Sequence, residues 1–281
     1  MVGENNNLAV EPRPLLAARN VTLEYASRRL FGSKRATTVA LQDVSVSVFA
    51  GKTLALVGPS GSGKSSLAQC LLLLEQPSAG QILYRDEILL PTNREALKAV
   101  RREIHLIFQD SASALNPGLT LEEILREPLV IHKKASRNTQ KTIQDAMEQV
   151  ELPSKWLLRR PLELSGGQRQ RVAIARALVL RPKVLILDEA LSALDLSTQG
   201  QIANLLRFLQ GLHGIGYLYI THDLSMAGVM ADEVAVMKRG RIVRQGCAPD
   251  VFIEKQQTLA GSLNPDLALP GNLVATMSGD R

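Results

Sequence analysis

The segment from Gly58 to Ser65 reads G-P-S-G-S-G-K-S and lies between two apolar stretches. The stretch before it, TLALV, favours a buried strand, and the stretch after it, SLAQCLLLL, favours a helix. This context is typical of a phosphate-binding loop, because the glycines allow backbone N–H groups to turn inward around phosphate oxygens and the helix N-terminus attracts anions. The alternative is a Gly/Ser-rich turn without function, which the flanking strand and helix disfavour.

The loop therefore predicts a nucleotide site with a bound Mg²⁺ ion. Lys64 is expected to reach the β- and γ-phosphates, and the Ser65 hydroxyl is expected to hold Mg²⁺. The loop residues expected to contact the nucleotide are Gly58, Pro59, Ser60, Gly61, Ser62, Gly63, Lys64, Ser65 and Ser66.

A second acidic element, VLILDE at residues 184–189, complements this loop. An apolar strand would deliver Asp188 to its carboxyl end, where ligands bind in open α/β sheets. Asp188 is then expected to coordinate Mg²⁺, and Glu189 to polarise an attacking water as a general base. An acidic pair at a strand end also caps helices, and the presence of the phosphate loop favours the catalytic interpretation over that alternative.

The order of elements predicts an α/β fold. Strand patterns occur at 20–25 and 44–48, and two more are QILYR and IHLIFQ. After residue 165 the pattern alternates: helix 167–180, strand VLILDE, helix 199–212, strand YLYITHD and helix 224–230, followed by a hairpin that turns at Arg239-Gly240. Strands that alternate with helices predict a parallel sheet.

The middle of the chain has a different character. In TIQDAMEQV one helical face carries Ile143, Ala146, Met147 and Val150, and NPGLTLEEILREPL predicts a turn and a short helix that stops near Pro128. Lys64 and Asp188 are much farther apart in sequence than a compact nucleotide-binding α/β unit requires. Residues 111–165 are therefore expected to form an inserted helical lobe.

The stretch ELSGGQRQRVAIARAL closes this lobe. Ser165 and Gln168 form the S-x-x-Q pattern of a capping box, and Gly166 and Gly167 leave backbone N–H groups uncovered at the helix start. This is either simple capping or a second anion site. Since the chain has one phosphate loop and one such cap, a phosphate at the cap is expected to be bound to a second, facing chain.

The stretch LSGGQRQRVAIARAL resembles the signature of ABC-transporter ATPases, and the resemblance covers about residues 16–250 with the family's motifs in order. It implies a P-loop NTPase fold with a RecA-like parallel core, an antiparallel β subdomain and an α-helical subdomain. Two such cassettes pack head to tail, and each ATP lies between the phosphate loop of one and the signature of the other. The implied parts are a flexible N-terminus (1–14), a nucleotide-binding core (15–110 and 166–250), the helical subdomain (111–165) and a C-terminal tail (251–281).

The resemblance also implies roles for single residues. Gln109 resembles the glutamine that contacts Mg²⁺ and water and links to the helical lobe, and His222 resembles the histidine that contacts the γ-phosphate. Asp195 matches the loop that crosses the dimer interface. Tyr25 resembles the aromatic residue that stacks on adenine, although Phe31 could compete with it. The expected catalytic residues are Glu189, His222, Gln109 and Lys64, and the nucleotide-binding set adds Tyr25, Ser165, Gly166, Gly167, Gln168 and Asp195.

Composition limits the partners. The net charge of +6 is spread thinly and fits an ordinary solvated surface, with nucleic acid or membrane lipid as alternatives. Cys70 and Cys247 are far apart, so neither a disulfide framework nor a zinc site is indicated. No apolar run approaches the ~20 residues that span a bilayer, so contact with a membrane is expected through a partner.

The finer sequence is similar to the peptide/nickel branch of bacterial importers, in LFG, FQDSASALNP, ILREPL and RRPLELSGGQRQR. That branch implies a second, different cassette, with a homodimer as the alternative, two permeases and an external binding protein, and it places this subunit at the cytoplasmic face of the inner membrane. LDEALSALD and a C-terminal region with only Cys247 depart from the peptide type and favour nickel or a nickel chelate, with oligopeptides as the alternative. A nucleic-acid-associated ABC ATPase and a P-loop kinase are the rivals, and no tandem cassette, long coiled coil or zinc insertion supports the former.

Overall fold

The computed structural model describes residues 13–26, 37–108 and 114–251 of the 281-residue chain. The described strands are β1 (Leu16–Ala26), β2 (Thr37–Val48), β3 (Thr53–Val57), β4 (Ala79–Tyr84), β5 (Glu87–Ile88), β6 (Ile104–Ile107), β7 (Val184–Asp188), β8 (Gly216–Thr221), β9 (Glu233–Lys238) and β10 (Arg241–Cys247). The described helices are α1 (Lys64–Leu71), α2 (Arg94–Glu103), α3 (Leu121–Ile131), α4 (Thr139–Gln149), α5 (Gly166–Leu178), α6 (Leu196–His213) and α7 (Leu224–Met230), with 3₁₀ turns at Ser154–Leu158 and Pro161–Glu163.

The central sheet has six strands in the order β10-β9-β3-β8-β7-β6. Strands β9, β3, β8, β7 and β6 are parallel, and β10 pairs antiparallel with β9 at one edge. Every residue of β3 and β8 is buried, because both faces of a parallel sheet are covered by other elements. The predicted parallel sheet is confirmed.

The early β-rich part forms a separate four-stranded antiparallel sheet in the order β2-β1-β4-β5. Its inner side chains pack with those of the central sheet and of α1 in one apolar cluster, which includes Leu16, Leu41, Leu56, Leu67 and Ile220. This sheet therefore holds β1 and β2 beside the start of α1, where the phosphate loop lies.

The described segment 114–183 contains helices and 3₁₀ turns and no strand. Helices α3 and α4 pack on α5, and Ile124, Ile143 and Met147 share an apolar cluster with Val172. The expectation that the first helix stops near Pro128 was wrong, because α3 continues to Ile131 and buries Leu129. Proline removes an N–H donor but leaves its own carbonyl available, and the N–H of His132 donates to the Pro128 carbonyl.

The hairpin at the end of the central sheet turns where the sequence predicts. Arg239 and Gly240 both have positive φ angles, 49° and 76°, as a tight turn that matches the strand twist requires. Helix α2 was not predicted; it begins after an Asn93 cap that accepts a hydrogen bond from the Ala96 N–H. Across residues 13–26, 37–108 and 114–251, no helix combines the length and the apolar character that crossing a bilayer needs.

Candidate functional site

The phosphate loop leaves the carboxyl end of β3 and enters α1 under tight packing. A Cβ atom on Gly58 would lie 2.2 Å from the Met237 carbonyl oxygen, and one on Gly63 would lie 2.6 Å from the Ala40 carbonyl oxygen. Gly63 also has a φ of 107°, which L side chains rarely adopt. These glycines are therefore required by the packing of the loop as well as by any anion that it holds.

Lys64 turns its ammonium group back over the loop. The Nζ atom donates to the carbonyl oxygens of Gly58 at 2.9 Å and of Pro59 at 3.0 Å. Burial lowers the pKa of Lys64, and the nearby Glu189 and Asp188 carboxylates act in the opposite direction. The ammonium is thus held at the loop by two neutral carbonyl acceptors. Phosphate oxygens can take their place, and because these oxygens are charged their hydrogen bonds are stronger.

Ser65 and Asp188 meet across the sheet. The Ser65 hydroxyl donates a hydrogen bond to the Asp188 carboxylate, whose pKa is raised chiefly by burial. The Oδ1 atom of Asp188 is buried and has no hydrogen-bond partner within the described residues. A buried carboxylate oxygen that lacks a partner is costly, and it suits a hard cation that takes oxygen ligands. The pair therefore fits the expected Mg²⁺ position.

Glu189 and His222 stand at the ends of the neighbouring strands β7 and β8. Glu189 has a φ of 48°, an unfavourable angle for a residue with a Cβ atom, and its N–H donates to the Ile220 carbonyl. Its Oε1 atom lies 3.4 Å from Nδ1 of His222. The His222 side chain is 55% exposed and the Glu189 side chain 20%, so both can reach a ligand in front of the sheet.

A cleft of about 460 Å³ connects the predicted nucleotide residues. Tyr25, which is 41% exposed, lines the cleft together with its β-pairing partner Thr38, and Glu189 lines it as well. The sequence did not indicate several of the other lining residues, because only the order of strands in the folded sheets brings them to the cleft. The residues that line the cleft are Tyr25, Thr38, Val39, Ala40, Ser60, Gly61, Gly63, Lys64, Ser65, Ser66, Glu189, Arg239 and Gly240.

The signature residues lie elsewhere in this chain. Ser165 caps α5 as predicted: its hydroxyl oxygen accepts from the Gln168 N–H, and the Gln168 side chain accepts from the Ser165 N–H at 2.9 Å. Among the described residues, those that line the cleft include no member of this cap. A single chain therefore does not bring its own cap to its own phosphate loop.

The two signature glycines differ in what surrounds them. A Cβ atom on Gly167 would lie 2.5 Å from Cγ2 of Thr198, so this glycine is needed for the packing of α5 on α6. A Cβ atom on Gly166 would meet only Leu194, at 3.7 Å, an ordinary contact. Packing within the described chain therefore does not account for Gly166, which leaves room for close approach by another molecule.

Asp195 has a local structural role as well as the expected interface role. It caps α6, and its carboxylate accepts from both the N–H and the hydroxyl of Thr198, at 2.9 and 2.7 Å. These hydrogen bonds lower the pKa of Asp195. The predicted Gln109 and the alternative aromatic Phe31 lie outside the described residues.

The chain is similar to known proteins over most of its length. The ABC transporter family profile matches residues 41–192. The chain is 38% identical over 258 residues to the dipeptide transport ATP-binding protein DppF of Haemophilus influenzae, covering 92% of this chain and 79% of that protein. It is 43% identical over 233 residues to the nickel import ATP-binding protein NikE of Brucella suis, covering 82% and 87%.

Solved structures show the same fold. The ATP-binding cassette MJ0796, in a dimeric post-hydrolysis state bound to ADP and Pi, has a TM-score of 0.71 at 29% identity, covering 83% of this chain and 98% of that one. The cassette cbiO1 from Clostridium perfringens, part of the ABC transporter complex cbiONQ, has a TM-score of 0.75 at 29% identity, covering 89% and 96%.

Proposed function

The chain belongs to the ABC transporter family, and we propose that it is the ATP-hydrolysing subunit of a bacterial importer for nickel, a nickel chelate or short peptides. The observation that carries this proposal is the cleft in which Tyr25, Lys64, Ser65 and Glu189 meet. Its first test is release of inorganic phosphate from ATP by the purified full-length chain, with and without Mg²⁺. No release by the chain alone or with its partner subunits would refute the activity.

The loop binds the triphosphate and Lys64 neutralises it. The ammonium moves from the Gly58 and Pro59 carbonyls to the β- and γ-phosphates, and the loop N–H groups surround the same oxygens. Tyr25 stacks on the adenine at the other end of the cleft. Because these contacts are positioned before the reaction, little reorganisation is needed in the transition state.

Ser65 and Asp188, with Gln109, hold Mg²⁺, which when bound neutralises charge that develops on the phosphates. Glu189 accepts hydrogen bonds from the attacking water and orients it toward the γ-phosphorus. His222 lies beside Glu189 and donates to the γ-phosphate, so it links the presence of that phosphate to the position of the base. The two residues directly follow the adjacent strands β7 and β8, whose parallel pairing sets the distance between them.

Two cassettes close over two ATP molecules. Ser165 uses its hydroxyl oxygen as an acceptor within the cap, so its O–H remains available to donate to the γ-phosphate held by the facing chain. Gly166 allows that phosphate to approach the helix N-terminus. Cross-linking between cysteines introduced at Ser66 and at Leu162, an exposed residue just before the cap, of opposite chains, with ATP present, tests this arrangement. Equal cross-linking without nucleotide would contradict it.

The working dimer pairs this cassette with a second one, either a different cassette or another copy of this chain, on the cytoplasmic face of the inner membrane. The helical part formed by α3 and α4 contacts a permease, and Gln109 relays the nucleotide state to it. Cross-links to a permease from cysteines placed between Leu115 and Leu129 are the expected result. Contacts confined to the β9–β10 hairpin would refute this docking.

The imported substrate is nickel or a nickel chelate in preference to a peptide. Support comes from LDEALSALD, from the C-terminal region with only Cys247, and from the higher identity to the nickel import protein than to the dipeptide transport protein. Uptake of radiolabelled nickel and of a labelled dipeptide, compared between a deletion strain and the same strain complemented with the gene, decides between them. Restored uptake of the dipeptide alone would overturn the nickel assignment.

A further inference from the structure

Arg239 lines the cleft although no nucleotide-binding motif contains it. It occupies the first position of the β9–β10 turn with a φ of 49°, a conformation that costs energy for any residue with a Cβ atom and that Asn and Gly adopt most readily. An exposed turn without a role has no need for arginine at this position. A strained residue that lines a ligand cleft is a candidate for a functional role.

The turn is held firmly against the phosphate loop. The Gly240 N–H donates to the Ser62 carbonyl at 2.8 Å, and the Gly240 carbonyl accepts from the Gln42 N–H at 2.7 Å. A Cβ atom on Gly240 would lie 2.7 Å from the Ala40 carbonyl oxygen. Because the turn bonds to both the loop and β2, the position of Arg239 relative to bound phosphate is set by the fold.

The guanidinium of Arg239 has no hydrogen-bond or ion-pair partner within residues 13–26, 37–108 and 114–251. In contrast, Arg241, two residues later, donates to the Gln42 side chain at 2.8 Å. An arginine at the wall of a cleft that receives a polyanion supplies several N–H donors in a fixed geometry. Its charge is therefore available to a phosphate oxygen without breaking an existing interaction.

Strand order places Arg239 opposite the hydrolytic residues. Glu189 and His222 follow β7 and β8 on one side of β3, whereas Arg239 follows β9 on the other side. The same flank carries the β2 residues 38–40, and Tyr25 pairs with Thr38 there. Arg239 therefore lies on the same flank of the cleft as Tyr25, on the opposite side of β3 from Glu189 and His222.

We propose that Arg239 is a nucleotide-binding residue that contacts the α-phosphate and ribose side of ATP and ADP, an inference that rests on the proposed ATP site. It raises affinity for both nucleotides by the same factor and takes no part in cleavage. The interaction is between an exposed cation and a phosphate, so salt weakens it.

The test is isothermal titration of the full-length chain with ADP and with a non-hydrolysable ATP analogue, both with Mg²⁺, at low and high salt. Arg239→Asn is the main variant, because asparagine keeps the turn conformation while removing the charge. Arg239→Lys retains the charge. Lys238→Asn is the matched control, since Lys238 immediately precedes Arg239, is exposed and is not among the described residues that line the cleft.

Arg239→Asn is expected to raise the Kd of both nucleotides by roughly five- to tenfold at low salt and by less at high salt. Arg239→Lys is expected to recover most of the affinity, and Lys238→Asn to match the wild type. An unchanged Kd for Arg239→Asn, or a change for the triphosphate alone, would overturn the inference while the ATP site stands. If the wild-type chain binds neither nucleotide, the proposed function fails first and this inference fails with it.

Discussion

Glu189 Oε1 lies 3.4 Å from Nδ1 of His222, although the two residues follow different strands and no single sequence motif contains both. The contact forms because β7 and β8 pair in parallel with Asp188 opposite Ile220, and the Glu189 N–H donates to the Ile220 carbonyl. Backbone hydrogen bonds thus hold Glu189 and His222 as a pair, which explains how a strained φ at Glu189 is maintained.

The first prediction concerns this pair. Glu189→Gln is expected to lower ATP turnover at least about a hundredfold and to leave ATP affinity within about twofold, because the amide keeps the shape but cannot act as a base. ATP-bound dimers should then accumulate, as size-exclusion chromatography with ATP would measure. Glu148→Gln, on the exposed face of α4, is the control and should behave as wild type. Turnover by Glu189→Gln at the wild-type rate would remove Glu189 from the mechanism.

The two signature glycines are expected to have different roles, Gly167 in packing and Gly166 in dimer formation. Gly167→Ala is expected to destabilise the chain by about 1–2 kcal/mol, because its Cβ would meet the Thr198 methyl, which is held by two hydrogen bonds to Asp195. Adding Thr198→Ser removes that methyl and should restore the unfolding temperature. Gly166→Ala is expected to melt like the wild type yet to lose ATP-dependent dimer formation. Normal dimer formation by Gly166→Ala would argue against a facing phosphate at the cap.

The turn glycine at residue 240 is a test of how the hairpin supports the loop. Gly240→Ala is expected to cost about 1–3 kcal/mol, since φ is 76° and the new Cβ would lie 2.7 Å from the Ala40 carbonyl oxygen. Nucleotide affinity should fall with it, because the Gly240 N–H bonds to Ser62. Chemical denaturation measures the loss of stability, and isothermal titration measures the nucleotide affinity. Gly211→Ala in α6, where a Cβ meets nothing within 4 Å, is expected to stabilise by up to about 1 kcal/mol.

His105 on β6 predicts a pH dependence of stability. Burial lowers its pKa from the ordinary value of 6.5, and the charges of His132 and Arg176 act in the same direction. Because the folded chain binds the proton more weakly than the unfolded chain, this contribution is present above pH 6.5 and is lost as the pH falls through the lower, folded pKa. His105→Gln should therefore lose less stability on acidification than the wild type.

Urea unfolding at neutral pH and at mildly acidic pH measures this difference. Glutamine can still donate to the Arg102 carbonyl, which lies 3.1 Å from Nε2 of His105, so the substitution changes the titration more than the local bonding. His213→Gln is the control, because His213 is exposed and burial acts on it less strongly. Equal acid sensitivity of wild type and His105→Gln would show that His105 does not titrate in this range.

Local patterns in the sequence identified the phosphate loop, the Ser165–Gln168 capping box, the Arg239-Gly240 turn and the parallel core. The first three depend on residues a few positions apart, whose hydrogen bonds close within one turn, and the parallel core was inferred from strands that alternate with helices along the chain. The extent of α3 was misjudged, because the burial of Leu129 outweighs the donor that Pro128 lacks. Burial of that kind depends on the partner helix α5, which a local pattern does not contain.

The sequence by itself determined a glycine loop of the phosphate-binding type and a capped helix start, since both follow from backbone geometry over eight residues or fewer. Only the tertiary structure decided which distant side chains share the cleft. Arg239 and Tyr25 reach it, and Glu189 meets His222, because strands far apart in the chain pair in a definite order to bury their apolar faces. That order is set by the free energy of packing the whole core, so no single residue or short motif predicts it.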